Sequence, residues 1–253
     1  MIEPWLYPVL TSVAFVAGFI DAIAGGGGLI TVPALMLAGL PPDQALATNK
    51  VQGSFGAATA AASYARSGLV DLRAQLPTAA LAFGAGVAGA ALVTAIPTGA
   101  LRVILPVVLI AVALFFALKP GLNDQNRAAR LRPGLFALTA VPGVGFYDGL
   151  IGPGAGAFYM LAFVTLAGFG ILKATAHTKL LNFASNIGGL TVFALTGHPL
   201  WIVGLAMGAG QVLGAALGSR LAMRVGARVI KPLLVVTSTA LALRLLWQMT
   251  QAS

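Results

Sequence analysis

A chain of 253 residues that is 58% hydrophobic and only 8% charged, with a mean hydropathy of +0.94, is not a water-soluble domain; such domains carry about 25% charged residues and lack the interior to hide this much apolar surface. The net charge of +9 sits at the ends of apolar runs, which is the positive-inside pattern of membrane proteins and not a nucleic-acid footprint. Cysteine is absent, which excludes disulfides, thiol chemistry and Cys-ligated metal.

The opening MIEPWLYPVL has no basic n-region, so the first apolar run is expected to be retained and not cleaved. Ten apolar runs follow in order: 5–24, 29–40, 45–66, 75–96, 100–118, 133–151, 155–171, 174–196, 199–219 and 227–249. A full crossing takes about 20 residues. The second run is too short for that and the seventh is marginal, and they follow GGGG and GPGAG, so both read as parts of broken or re-entrant helices. The expected fold is an all-α, multi-pass protein of the cytoplasmic (inner) membrane with about ten transmembrane or re-entrant segments.

The runs repeat. GFIDAIAGGGG from Gly18 aligns with GFYDGLIGPGA from Gly145, and ALATNKVQ from Ala45 with ATAHTKLL from Ala174. SYARSG and VFALTG, the two GAAL motifs, and LRVILP with ARVIKP continue the match in the same order. Five ordered matches at offsets between 125 and 129 indicate a duplication. The halves are residues 1–119 and 133–253, joined by a polar linker at 120–132. With five segments each, an odd number, the second half is expected to be inverted relative to the first. With the N-terminus outside, eleven of the 15 lysines and arginines fall in cytoplasmic connections: Arg66, Arg73, Lys119, Arg127, Arg130, Arg132, Lys173, Arg220, Arg224, Arg228 and Lys231. The charge bias of equivalent connections reverses between the halves, as inverted repeats require.

Two lysines remain, Lys50 and Lys179, at matching repeat positions, and Asp21 and Asp148 match likewise. An ionisable group near the bilayer centre costs about 2.5–3.5 kcal/mol on insertion scales, so it pairs or lines a cavity; the plain alternative is snorkelling to an interface. The glycine runs beside each aspartate permit positive φ, and Pro153 interrupts the backbone ladder. A helix broken at membrane depth presents N–H groups and a positive dipole end, which favour anions. Such breaks in matching positions mark a transporter's central site. The alternative is that the glycines serve helix packing alone.

Weaker signals surround this set. Asn182, Ser185 and Asn186 lie about one turn beyond Lys179 and either line the site or hydrogen-bond between helices. His177 either titrates near an anion or is structural, and His198 reads as a loop residue. GAGVAG (84–89) has no preceding strand and reads as a packing face, not a dinucleotide site. Gly210, Gly214 and Gly218 form a double GxxxG, expected to pack within the protomer. No metal-ligand cluster or nucleophile–base pair is legible, so neither an enzyme nor a cofactor is expected.

GFIDAIAGGGG with the following LI and VP, then ALATNK and the SG-VD turn, resembles the sulfite exporter (TauE/SafE) family along nearly the whole chain. The resemblance implies movement of sulfur-containing anions such as sulfite, sulfonates or sulfoacetate across the cytoplasmic membrane. It implies site residues Asp21, Gly25, Gly26, Gly27, Gly28, Thr48, Asn49 and Lys50 in the first half. Their partners would be Asp148, Gly152, Gly154, His177, Thr178 and Lys179. The expected function is secondary transport of a small anion at a site between the halves; a passive anion channel or an intramembrane enzyme are the alternatives. The lipid bilayer and the anion are the implied partners, no nucleic acid is, and a coupling proton or ion and a homodimer stay open.

Both termini are expected outside the cytoplasm. Single cysteines introduced into this cysteine-free chain and probed with an impermeant thiol reagent will map it, and labelling of positions 120–132 from outside would reverse the orientation.

Overall fold

A computed structural model describes residues 3–118, 125–196, 199–226 and 228. They form ten helices: α1 Leu6–Ala24, α2 Gly28–Leu37, α3 Pro42–Arg66, α4 Leu72–Thr94, α5 Thr98–Leu118, α6 Pro133–Leu138, α7 Ala140–Leu150, α8 Ala155–Thr165, α9 Ile171–Thr196 and α10 Trp201–Val225. No strand occurs among the described residues. Nine apolar runs coincide with helix; the tenth, 227–249, lies outside the described residues except for 228, as do Lys119, His198, Lys231 and the linker's first residues.

Local chemistry sets the boundaries. Gly25 at φ 77° ends α1 and Gly39 at φ 95° ends α2, where Leu40 N–H reaches Leu35 O and Gly39 N–H reaches Met36 O in a Schellman closure. Gly68 closes α3 in the same way on Tyr64 and Ala65. Pro42 supplies the first residue of α3, and the Asp71 carboxylate caps α4 by accepting from Arg73 N–H and Ala74 N–H at 2.8 and 3.2 Å. The sixth run, read as one segment, divides at Thr139 into α6 and α7. Pro142 explains the division, since its ring displaces the carbonyl four residues back and it has no N–H to give it.

The bundle has an apolar core with a polar, charged centre, and apolar side chains also cover its surface. Lys50 and Lys179 are among the largest fully buried side chains, while Leu195 and Ile202 stand 84% and 73% exposed. That arrangement suits lipid and would aggregate in water. Helices α1, α4 and α10 are long and apolar enough to cross a membrane. In the bundle, α1 packs on α10, α4 on α7 and α9, and α3 on α9 and α10.

Lipid tails give no hydrophobic drive to these contacts, so close backbone approach supplies the stabilisation. Gly210, Gly214 and Gly218 lie against the carbonyls of Thr11, Phe15 and Phe19, so the double GxxxG seats α10 on α1. Gly86 and Gly89 of GAGVAG do the same for α4 against Ser185 and Phe146. The described part of the linker is fastened as well: Arg127 N–H donates to Gly168 O, Arg130 and Leu131 N–H to Leu166 O, and Asn126 Oδ1 accepts from Gly170 N–H.

Replacing Gly214 with leucine drives a side chain into the Phe15 carbonyl and is expected to destabilise the fold by at least about 1–3 kcal/mol. Gly84→Ala, on the outer face of α4 with nothing within 4 Å, is expected to be neutral or to gain up to about 1 kcal/mol. Thermal unfolding in detergent compares them, and equal melting temperatures would refute the packing role of Gly214.

Candidate functional site

The two breaks meet at the centre of the bundle. Asp21 lies in the last turn of α1; Gly25 and Gly26, at φ 77° and 95°, carry the chain round to α2. Asp148 lies in the last turn of α7; Gly152 and Gly154, at φ 95° and 87°, carry it round to α8. A side chain at Gly25 would collide with the backbone of Gly156 and Ala157, so the two turns touch. The Tyr147 hydroxyl fastens the second turn by donating to Pro153 O at 2.6 Å.

Helix ends of this kind leave backbone carbonyls with acceptor capacity to spare, and Asp21 O takes one N–H, from Gly25 at 2.9 Å. A lysine from the other half of the chain supplies a donor at each. Lys50 Nζ donates to Asp148 O and to Asp148 Oδ1 at 2.6 Å. Lys179 Nζ donates to Asp21 O and approaches Asp21 Oδ2 at 3.4 Å. Gly189 and Gly152 make room for the Lys50 stem and ammonium. The four charges sum to zero.

The pairs differ in completeness. Asp148 is buried, and its Oδ2 also accepts from the Ser185 hydroxyl and from Asn186 Nδ2 at 3.2 Å. Asp21 has the Lys179 contact and Gly27 N–H on Oδ1 at 3.0 Å, and its side chain keeps 17% exposure.

Between the turns lies a cavity of about 30 Å³ lined by Asp21, Gly26, Gly27, Gly28, Asn49, Gly53, Asp148, Gly152, Gly154, Ala155, Gly156, Asn182, Asn186 and Gln211. That is close to the volume one water occupies in the liquid, so an anion of sulfite size enters only if the glycine walls part. The walls offer donors. Asn49 Oδ1 is committed to Thr31 Oγ1 at 2.6 Å and Gln52 Nε2 at 2.7 Å, and Asn182 Oδ1 accepts from Asn186 Nδ2 at 3.2 Å. The Nδ2 groups of Asn49 and Asn182 donate to no described residue and lie beside Gly28 and Gly156, at the starts of α2 and α8. The N–H groups of Leu29, Ile30 and Ala155 close on Gly26 O, Gly27 O and Gly152 O, which leaves those of Gly28, Gly156 and Ala157 without a partner among the described residues.

Most of the residues expected at the site converge here, but not all. His177 faces a second cavity, of about 280 Å³, where its ring packs on Phe163 and Phe169 and its carbonyl accepts from Gln75 Nε2 at 2.8 Å. Thr48 Oγ1 accepts from Leu200 N–H at 3.0 Å, away from the central cavity. Thr178 is fully buried, Gly25 serves the turn-to-turn contact, and Lys50 and Lys179 stand behind their aspartates; none of the four lines the cavity. Gln211, Gly53 and Gly156 are wall residues that the motifs did not single out. Gln211 is 3% exposed, makes no hydrogen bond to a described residue and fits against Gly18 and Gly56, where no side chain could stand. Its signal in the sequence was a lone carboxamide within the GxxxG face of α10.

A family model described as sulfite exporter TauE/SafE matches residues 10–245. A probable membrane transporter protein of Sinorhizobium is 59% identical over 92% of this chain and 89% of its own. The probable membrane transporter protein YfcA of Escherichia coli is 49% identical over 98% and 92%, and one from Haemophilus influenzae 43% over 96% and 95%. No solved structure matches.

Because Lys50 completes a fully enclosed carboxylate and Lys179 a partly open one, Lys50→Met is expected to lower stability more than Lys179→Met. Breaking a buried pair costs about 3–5 kcal/mol. Melting temperatures in detergent measure the difference, and equal losses or the reverse order would contradict the asymmetry.

Proposed function

The chain belongs to the sulfite exporter TauE/SafE family, and from that premise we propose that this multi-pass membrane protein is a secondary transporter of a small sulfur-containing anion, working by alternating access at the central cavity. The observation that carries the reading is a donor-lined cavity between two broken helices. Asn49 and Asn182 turn N–H groups toward it, and the first turns of α2 and α8 open onto it. An anion there meets two positive helix ends without a full hydration shell, with the two lysines behind the aspartates that border the cavity. Names of relatives in several bacteria point the same way.

Two inverted repeats, 1–119 and 133–253, are supported by how the helices pack. If α1, α2, α3 and α4 correspond to α7, α8, α9 and α10, then α1 on α10 corresponds to α7 on α4, and α3 on α10 to α9 on α4. The lysine–aspartate pairs exchange under the same correspondence.

His177 and Thr48 also correspond, and this gives the reading a direction. Around His177 lies the 280 Å³ cavity, partly walled by linker residues Ala129 and Leu131, cytoplasmic in the proposed orientation. Around Thr48 the hydrogen bond from Leu200 ties α10 to α3. The reading takes the first as the inner vestibule and the second as the closed outer gate.

Purified protein screened against sulfite, sulfoacetate, methanesulfonate and simple carboxylates is expected to gain thermal stability from a sulfur oxyanion. Uptake into liposomes is expected to saturate, and Lys179→Met to weaken affinity about ten- to a hundredfold by losing a charge-assisted contact. Stabilisation by none of the probes would sink the substrate class, and unsaturable flux would make the protein a channel.

A further inference from the structure

We infer that Asp21 is the site of a coupling proton, taken up together with each anionic charge, while Asp148 stays ionised as a fixed counter-ion. This deepens the transport reading and rests on it.

The inference starts from charge balance. Lys50 and Lys179 are matched by Asp148 and Asp21, so the centre is neutral before an anion enters. Adding a negative charge alone to a site of low dielectric is unfavourable, and a proton arriving with it restores neutrality. The two carboxylates are not equally able to take that proton. Both oxygens of Asp148 are engaged, by Lys50, Ser185 and Asn186, in a side chain only 2% exposed. Asp21 has a loose lysine contact and one backbone donor, and it is the more open of the two where they border the cavity.

The groups facing Asp21 fit this role. From α9 comes Lys179. From α3 comes Tyr64, whose hydroxyl is spent on Ala22 O at 2.8 Å. Across the cavity stands the closed Lys50–Asp148 pair. His177 on α9 is turned to the other cavity, and α2, α8 and α10 present only uncharged groups to the central one, Gln211 among them.

Protonation therefore does more than balance charge. A neutral Asp21 no longer competes for the Lys179 ammonium, which stays anchored on Asp21 O and turns its remaining N–H groups to the anion. Proton and anion then favour each other's binding by the same factor.

The test uses purified wild-type protein, Asp21→Asn and Asp148→Asn, with methanesulfonate as a probe that remains ionised throughout. Infrared titration is expected to show a protonated-carboxyl C=O band that Asp21→Asn removes and Asp148→Asn retains. Calorimetry is expected to show wild-type affinity for methanesulfonate rising about tenfold per unit of falling pH through that titration, as one linked proton requires, and a flat profile in Asp21→Asn. A band that follows Asp148, the absence of any titrating carboxyl band, or an affinity that follows sodium and ignores pH overturns the inference. Should Asp21→Asn not fold, Asp21→Glu is expected to shift the band and Asp148→Glu to leave it in place. If wild-type protein binds neither methanesulfonate, sulfite nor sulfoacetate, the transport reading falls, and the infrared band still decides where the proton sits.

Discussion

A helix that stops inside a membrane ends in carbonyl groups with acceptor capacity to spare, and water is not there to supply a donor. Here a lysine ammonium does so. Lys50 reaches the end of α7 and Lys179 the end of α1, and each also meets the carboxylate of the residue whose carbonyl it holds. These tethered cations add a donor at each break beside the backbone closures, such as Gly25 N–H on Asp21 O, and the cavity lies between the two breaks. The aspartates follow from the lysines: a buried ammonium needs a counter-charge, and the nearest position is the residue it already contacts. The rest of the centre, from the positive-φ glycines to the Asn186 and Ser185 hydrogen bonds, keeps this arrangement in place.

The glycine seams serve the same end by a different route. Helices in lipid gain little by burying side chains against one another, so the bundle is held by backbone approach at Gly86, Gly89, Gly210, Gly214 and Gly218. Small residues at these seams leave room for the few long polar side chains to reach the centre. Gln211 stands against Gly18 and Gly56, and Ser185 against Gly86. Under the proposed repeat, Gln211 matches Gly86 at an offset of 125 and Ser185 matches Gly56 at 129, so each contact pairs a large residue of one half with a small residue of the other.

Much of this was legible in the sequence, for reasons that also show where legibility ended. Composition and run length gave an all-helical membrane protein, and the glycine runs located both breaks to within a residue or two. The matched positions of Asp21 with Asp148 and Lys50 with Lys179 marked the centre, yet nothing in a linear repeat says that the pairs cross from one half to the other. His177 and Thr48 were drawn in by their motifs, but each stands two residues before a central lysine. On a helix that is about 200° of rotation, so both point the opposite way. Asn182 and Asn186, three and seven residues past Lys179, share its face, and both line the cavity. The split at Thr139 was missed because Pro142 was read within an apolar run without the carbonyl it displaces.

The crossed pairing bears on how such a chain could arise. A half-length ancestor would carry one buried aspartate and one buried lysine, each facing away from the other's reach. If the halves are inverted as proposed, it would satisfy them by docking with a second copy of itself inserted the opposite way up, and the ancestral product would enter membranes in both orientations. On the duplication proposed above, fusion would remove that requirement and release the two halves from identity. The hydroxyl and amide that surround Asp148, where the first half has Gly56 and Ala57, are the kind of divergence that a single self-pairing sequence could not carry.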